Sequence, residues 1–264
     1  MRFEITQLPN YSITQSPLSV DRQIADYYRE LLIHWGPQNW WPAQSRFEVI
    51  VGAYLTQNTA WSNVEKAIAN LRRVRVLSVK GIREIPLRRL QSLIRSSGYF
   101  RQKARKLKTF VRFLDERYSG SLDRMFAQST AQLRSELLAL NGIGPETADS
   151  ILLYAGNHPV FVVDAYTRRI LERHGLISRK TGYEEIRSTI ETALASAKAE
   201  ALSIAEQGSR PRHPVSRMSR MARVQLVQHY NELHALIVST GNQFCRSNPH
   251  CEGCPLKRFL PPAS

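Results

Sequence analysis

The chain has 264 residues, 42% of them hydrophobic, which is enough to bury a core over one large or two ordinary domains and too many for a disordered chain. Lysine and arginine number 37 against 22 aspartates and glutamates, and the resulting charge of +15, spread along the chain, favours a polyanion as partner, nucleic acid ahead of an acidic membrane surface. There is no apolar run of about 18 residues and no charged-then-apolar leader, and all three cysteines fall between Cys245 and Cys254. A cytoplasmic protein is expected, not a membrane protein or a secreted disulfide framework.

The first 19 residues, MRFEITQLPNYSITQSPLS, keep no sustained period and read as an extended lead-in. From Val20 to Trp35, Ile24, Tyr27, Tyr28, Leu31 and Leu32 share one face of an amphipathic helix, which GPQNWWPAQS then breaks. Helical patterns follow over 46–57, 60–73, 86–97, 100–118, 130–139, 145–155, 165–174, 182–206 and 220–240. Val160 to Val163 fits a strand or a short buried connection. The expected fold is all-α. GSRPRHPVSRMSR, Gly208 to Arg220, is a basic interruption that suits a solvated insertion as well as a DNA contact.

Two adjoining stretches carry the chemistry. In LNGIGPETAD, Gly142 and Gly144 permit positive φ, Pro145 suits a first helical position and Glu146 favours a helix start. Backbone amides at such a Gly-Ile-Gly turn can form a concavity that grips a phosphate without reading a base, although an ordinary helix–turn–helix connection has the same spacing. In VFVVDAYTRRI, four apolar residues lead into Asp164 at a helix start, where an aspartate can serve as a cap or as a buried carboxylate beside a reacting group.

LNGIGPETAD followed by VFVVDAYTRRI resembles the helix-hairpin-helix plus Gly/Pro-Asp signature of the endonuclease III superfamily of DNA glycosylases. FEVIVGAYLTQNTAWSNVEKAIANL resembles the early helices of that family, SSGYFRQKARKL its G-hydrophobic-aromatic-x-x-KA element, and HALIVSTGNQFC with CEGCPL its carboxy-terminal end. The likeness covers about residues 24 to 258, and LTQNT with Trp40-Trp41-Pro42 is most similar to the 3-methyladenine glycosylase branch related to endonuclease III. The resemblance implies two helical domains with the active site in the cleft between them: a central one over 47–157 carrying the hairpin, and a second formed by 20–46 and 158–264. It implies Asp164 as the catalytic residue, and a monomer acting on double-stranded DNA that contains a damaged base. Gly142, Ile143, Gly144, Thr147, Gln57 and Lys103 would be the DNA contacts, with Gln57 entering the gap left by a flipped nucleotide.

Departures from the family pattern narrow the reaction. Members that also cut the strand place a lysine where this chain has Glu146, and glutamate cannot form the Schiff base that leads to cleavage. Mismatched-adenine relatives carry an acid where this chain has Ala53, and without that acid a neutral purine leaves poorly. A base alkylated at a ring nitrogen is already cationic and needs no general acid, and it would stack well against Trp40, Trp41 or Trp61, each of which could otherwise be core. The expectation is a monofunctional base-excision glycosylase favouring an alkylated purine such as 3-methyladenine. A glycosylase with lyase activity on oxidised pyrimidines, an enzyme acting on mismatched adenine, and a non-catalytic DNA-structure-binding module are the alternatives.

Cys245-x5-Cys251-x2-Cys254 resembles the iron–sulfur loop of the family, whose [4Fe-4S] clusters take four protein ligands. Leu260 stands near the place of a fourth cysteine, so His250 or another group would have to complete the site. A cluster, zinc and a metal-free loop all remain compatible with the sequence.

Overall fold

The computed structural model describes residues 19–196 and 215–261. The lead-in therefore lies outside the described residues except for Ser19, as do 197–206 of the helix expected over 182–206 and residues 208–214 of the basic segment. Among the described residues the regular structure is entirely helical. The helices are α1 (Val20–Trp35), α2 (Arg46–Leu55), α3 (Trp61–Arg73), α4 (Val79–Glu84), α5 (Leu87–Leu93) and α6 (Phe100–Tyr118), then α7 (Leu122–Phe126), α8 (Thr130–Leu138), α9 (Pro145–Ser150), α10 (Ala165–Arg173), α11 (Tyr183–Ser196) and α12 (Gln225–Gln243). None is long and apolar enough to cross a membrane.

The expected apolar face of α1 is its buried face: Ile24, Tyr27, Tyr28, Leu31 and Leu32 all turn inward, and the Ser19 side chain caps the helix by accepting from the Arg22 amide at 3.4 Å. α2 is apolar apart from Arg46 and Glu48 and is buried from Phe47 to Leu55, with the Glu48 carboxylate accepting from Arg72 Nη2 at 2.7 Å. It starts at Ser45, whose side chain accepts from the Glu48 amide at 3.1 Å, and packs against α3, α6 and α9. α9 continues into a wider π-helical turn, Ile151–Ala155, whose residues are all fully buried. That turn lies between α2 and α12, while α12 also packs on α1, α10 and α11. Tyr154 is thereby held between α2 and α12, in a local geometry that often marks functional positions.

The expected helix over 86–97 divides at Ile94 into α5 and a 3₁₀ turn, Arg95–Ser97. α4 and α7 are too short to show a period in the sequence. Val160–Val163 is a buried connection without a strand partner, and side chains replace the missing neighbour: Phe161 donates its amide to Glu191 Oε1 at 2.8 Å and Val163 donates to the Tyr183 hydroxyl at 3.3 Å. The last long helix begins at Gln225, not 220, because the chain before it is tied to the Trp40-Trp41-Pro42 element. Ser216 Oγ donates to the Trp41 carbonyl at 2.9 Å, and the Met218 amide donates to the Ala43 carbonyl at 3.1 Å.

Candidate active site

α8 and α9 form a helical hairpin around Asn141–Gly144. Gly142 has φ +85°, a backbone conformation that favours glycine, and a Cβ there would displace the end of the Lys106 side chain, whose Cε would lie 2.2 Å away. Gly144 caps α9 with extended backbone and open space where a Cβ would stand, Pro145 occupies the first turn, and the Ile143 side chain is buried as the hairpin's anchor. Gly144 itself is exposed, so the turn presents backbone to solvent. A cavity of about 270 Å³ lined by Gln102, Arg105, Lys106, Thr109 and Asn141 flanks it on the basic side of α6.

Gln57 does not project freely. Its Nε2 donates to Thr147 Oγ1 at 2.9 Å and to the Gly142 carbonyl at 3.1 Å, and its Oε1 accepts from Lys106 Nζ at 2.7 Å. One amide thus joins the turn after α2, the hairpin and α6. Lys103, three residues earlier on α6, is enclosed at 2% exposure. Its ammonium donates to the Leu55 carbonyl at 2.8 Å, Thr59 Oγ1 at 2.7 Å and the Ser97 carbonyl at 2.6 Å. Burial, then the charge of Lys106, lowers its pKa to about 8. The lysine placed by resemblance among DNA contacts is in this structure an internal brace, and Lys106 is the neighbour that reaches the hairpin.

Asp164 caps α10, its Oδ1 accepting from the Thr167 amide at 2.7 Å and the Thr167 hydroxyl at 2.9 Å. Capping leaves Oδ2 available, and His234 of α12 stands there, Nε2 at 3.6 Å. That separation is an electrostatic contact, not a hydrogen bond, and Nε2 is buried with no other hydrogen-bond partner among the described residues. His234 Nδ1 shares a hydrogen bond with the Tyr154 hydroxyl. In the tautomer in which Tyr154 donates, the ring proton sits on Nε2 and faces the carboxylate. Burial on its own would raise the Asp164 carboxyl, but His234 and the Thr167 donors together outweigh it and hold the group below the ordinary carboxylate range. A carboxylate with its charge secured in a dry place can stabilise developing positive charge.

Glu146, the second residue of α9, opens to solvent, yet the protein packed around it and the negative charge of Asp164 raise its carboxyl. A relay beneath ties the hairpin to the Asp164 segment. Buried Asp149 of α9 accepts from Arg134 Nε at 2.7 Å and from the Tyr183 hydroxyl at 2.9 Å, and that same hydroxyl accepts from the Val163 amide.

The three candidate base-stacking tryptophans form one array. Trp41 and Trp61 meet edge to face with centroids 5.2 Å apart, Trp40 lies 5.0 Å from Trp41 and 6.1 Å from Trp61, and Trp41 continues to Tyr154 at 5.1 Å. The array therefore runs through Tyr154 to His234 and Asp164. Trp41 is core, 6% exposed, packed where a Cβ on Gly52 would come within 3.1 Å of its ring, whereas Trp40 and Trp61 are half-buried and keep surface to offer. Ala53 is buried in α2. Sequence reading missed His234, Tyr154 and Lys106, since a histidine inside HALIVSTGNQFC and a tyrosine inside an apolar run carry no spacing that marks them.

At the carboxy-terminal end, Cys245, Cys251 and Cys254 line a cavity of about 260 Å³, and no group of three His, Cys, Asp or Glu side chains among the described residues is close enough to hold a single ion. His250 is exposed and is not among the residues lining that cavity. Three thiols on the wall of one cavity supply three of the four protein ligands that a [4Fe-4S] group takes.

A family profile described as HhH-GPD superfamily base excision DNA repair protein matches residues 51–196. A Methanocaldococcus jannaschii protein assigned as a DNA repair glycosylase is 42% identical over 234 residues, 88% of this chain and 93% of its own. Endonuclease III of Thermotoga maritima is 31% identical over 138 residues, 52% of this chain and 61% of its own. Among solved structures, the H. pylori 3-methyladenine DNA glycosylase MagIII bound to 1,N6-ethenoadenine superposes with a TM-score of 0.69 at 28% identity, covering 86% of this chain and 98% of that one. A trapped endonuclease III–DNA covalent intermediate, at 20% identity and a TM-score of 0.65 over 91% of this chain and 95% of that one, shares the fold.

Proposed function

The chain belongs to the HhH-GPD superfamily of base excision DNA repair proteins, and from that premise we propose that it is a monofunctional glycosylase that removes an alkylated purine from double-stranded DNA. The observation that carries this reading is the line of groups from Trp40 and Trp61 through Trp41 and Tyr154 to His234 and Asp164, an aromatic surface ending at one ionised carboxylate. A cationic base flipped from the duplex would rest on the exposed faces of Trp40 or Trp61. As the N-glycosidic bond breaks, the base takes the bonding electron pair and leaves neutral, and Asp164 stabilises the positive sugar. Water then attacks the sugar carbon and its proton passes to bulk solvent, leaving an intact strand with an abasic site.

DNA would be gripped by the exposed amides around Gly142, Ile143 and Gly144, with Lys106 and Arg105 on the flank. Gln57 and Thr147 hold that turn in shape, and Lys103 braces the segment after α2 that carries Gln57. The division into a central domain over 47–157 and a second built from 20–46 and 158–264 fits the packing of α2 with α3 and α6 on one side and of α12 with α1, α10 and α11 on the other. We read the protein as a cytoplasmic, DNA-associated monomer. An iron–sulfur cluster on Cys245, Cys251 and Cys254 would supply a redox-active cross-link of the terminal loop; base release as described makes no use of it.

The MagIII structure, with its bound ethenoadenine, favours alkylated purines over the pyrimidine lesions of the endonuclease III reading. A panel of duplexes containing 3-methyladenine, 1,N6-ethenoadenine, thymine glycol or adenine opposite 8-oxoguanine separates the two. Release of an alkylated purine that is lost in Asp164→Asn is the expected result. Release from thymine glycol alone would replace the reading with the lyase-type alternative, and binding with no release from any duplex would leave a DNA-structure-binding module.

A further inference from the structure

His174 is the C-cap of α10 and lines the cysteine cavity. Its ring is held edge-on by Tyr27, centroids 5.3 Å apart and planes at 72°, and Tyr27 packs on Phe259 at 4.9 Å. Nδ1 is closed off from solvent and makes no hydrogen bond among the described residues; the Phe259 backbone is the polar group that lies against the ring. A buried imidazole nitrogen left unsatisfied costs stability unless something binds it.

The cavity is fixed on its α10 side. Arg169 Nε donates to the Cys245 carbonyl at 2.6 Å, and Arg173 donates to the carbonyls of Arg246 at 2.6 Å and Ser247 at 2.9 Å. Arg173 Nη1 also stands 3.2 Å from Cys245 Sγ. Leu260, at the place of a fourth cysteine, lines the same cavity with a side chain that cannot ligate.

We propose that His174, through Nδ1, is the fourth protein ligand of a [4Fe-4S] cluster seated among Cys245, Cys251 and Cys254. The three thiols and the His174 ring line one cavity of about 260 Å³, and Nδ1 makes no hydrogen bond among the described residues. Imidazole is an established substitute for thiolate on cluster iron. Ligation releases the three thiol protons and takes up the imidazole lone pair, with no other bond broken. The assignment is independent of which base the protein removes.

The test uses full-length protein made with ample iron and purified without oxygen. The expected result is about four irons per chain with equal sulfide, and, after one-electron reduction, a nitrogen hyperfine coupling in pulsed EPR that changes when histidine alone is labelled with ¹⁵N. His174→Cys should keep the full iron content and lose that coupling. His174→Ala should fall to about three irons on brief exposure to air, and adding Leu260→Cys to it should restore the fourth. A full cluster in the wild type without nitrogen coupling, a single zinc in place of iron, or no metal at all would each overturn the assignment. Because the decisive coupling is read on the wild type, a variant that fails to fold does not remove the test.

Discussion

His234 and Asp164 are seventy positions apart in sequence, yet Nε2 of one stands 3.6 Å from Oδ2 of the other, with Tyr154 on the far side of the imidazole. The contact opposes the effect of burial on the carboxyl. Because the folded value is lowered, the carboxylate's contribution to stability is present above the ordinary carboxylate range and is lost as pH falls through that lowered value. Asp164→Asn should fold and bind DNA but release base roughly 10² to 10⁴ times more slowly in single-turnover assays. His234→Phe keeps an aromatic ring and removes the Nε2 group that faces the carboxylate, leaving Tyr154 and Arg223 near the site and Glu146 across it. The acid limb of its rate–pH profile should move to higher pH. A slower rate with an unmoved acid limb would give His234 a packing role only.

Gln57 ties three elements with one amide. Gln57→Ala should weaken binding to undamaged and damaged duplex alike, by about tenfold if the loss is near 1.4 kcal/mol. An electrophoretic or anisotropy titration on both duplexes measures this, and a loss confined to the damaged one would return Gln57 to the role of a wedge in the flipped-base gap.

Lys103→Met should act on stability, not on DNA. Three acceptors lose their donor, and a destabilisation of about 1–3 kcal/mol is expected in thermal or urea unfolding. The slope of DNA affinity against salt should stay unchanged, whereas Lys106→Gln should reduce it. With a folded pKa of about 8 against 10.5 in the open chain, the wild type binds fewer protons folded than unfolded between those values. Its margin over the methionine variant should therefore change in its favour as pH rises through that window.

On the family resemblance Glu146 would occupy the place of the lyase lysine, and it has no amine to offer. Borohydride added during turnover should trap no protein–DNA adduct, and product strands should break only after alkali or heat. A trapped complex that survives substitution of both Lys103 and Lys106 would reveal another amine as nucleophile and end the monofunctional reading.

Much of this arrangement was legible in the residues themselves. The face of α1 follows from its period, the hairpin from Gly142, Gly144 and Pro145, and the cap at Asp164 from a polar residue closing an apolar run. These are local properties, written within a turn or two of chain. Lys103 was not readable, because a lysine's burial depends on carbonyls from Leu55 and Ser97 that only the folded chain brings together. The same holds for His234, which meets Asp164 and Tyr154, and for His174, which meets Tyr27 of α1 and the wall of the cysteine cavity. The start of α12 was misjudged because Ser216 and Met218 answer to Trp41 and Ala43, residues far away in sequence.

The aromatic array also makes the protein its own optical instrument. Of the four tryptophans, Trp40, Trp41 and Trp61 form one excitonically close group at the face proposed for the base. The fourth, Trp35, packs on Phe244 beside Cys245. Emission from the first group should be quenched when a cationic base settles on it, and Trp35 should be quenched when iron fills the cysteine cavity. A variant retaining Trp35 alone would separate the two signals, so lesion capture and metal loading could be timed in one cuvette without attaching a dye.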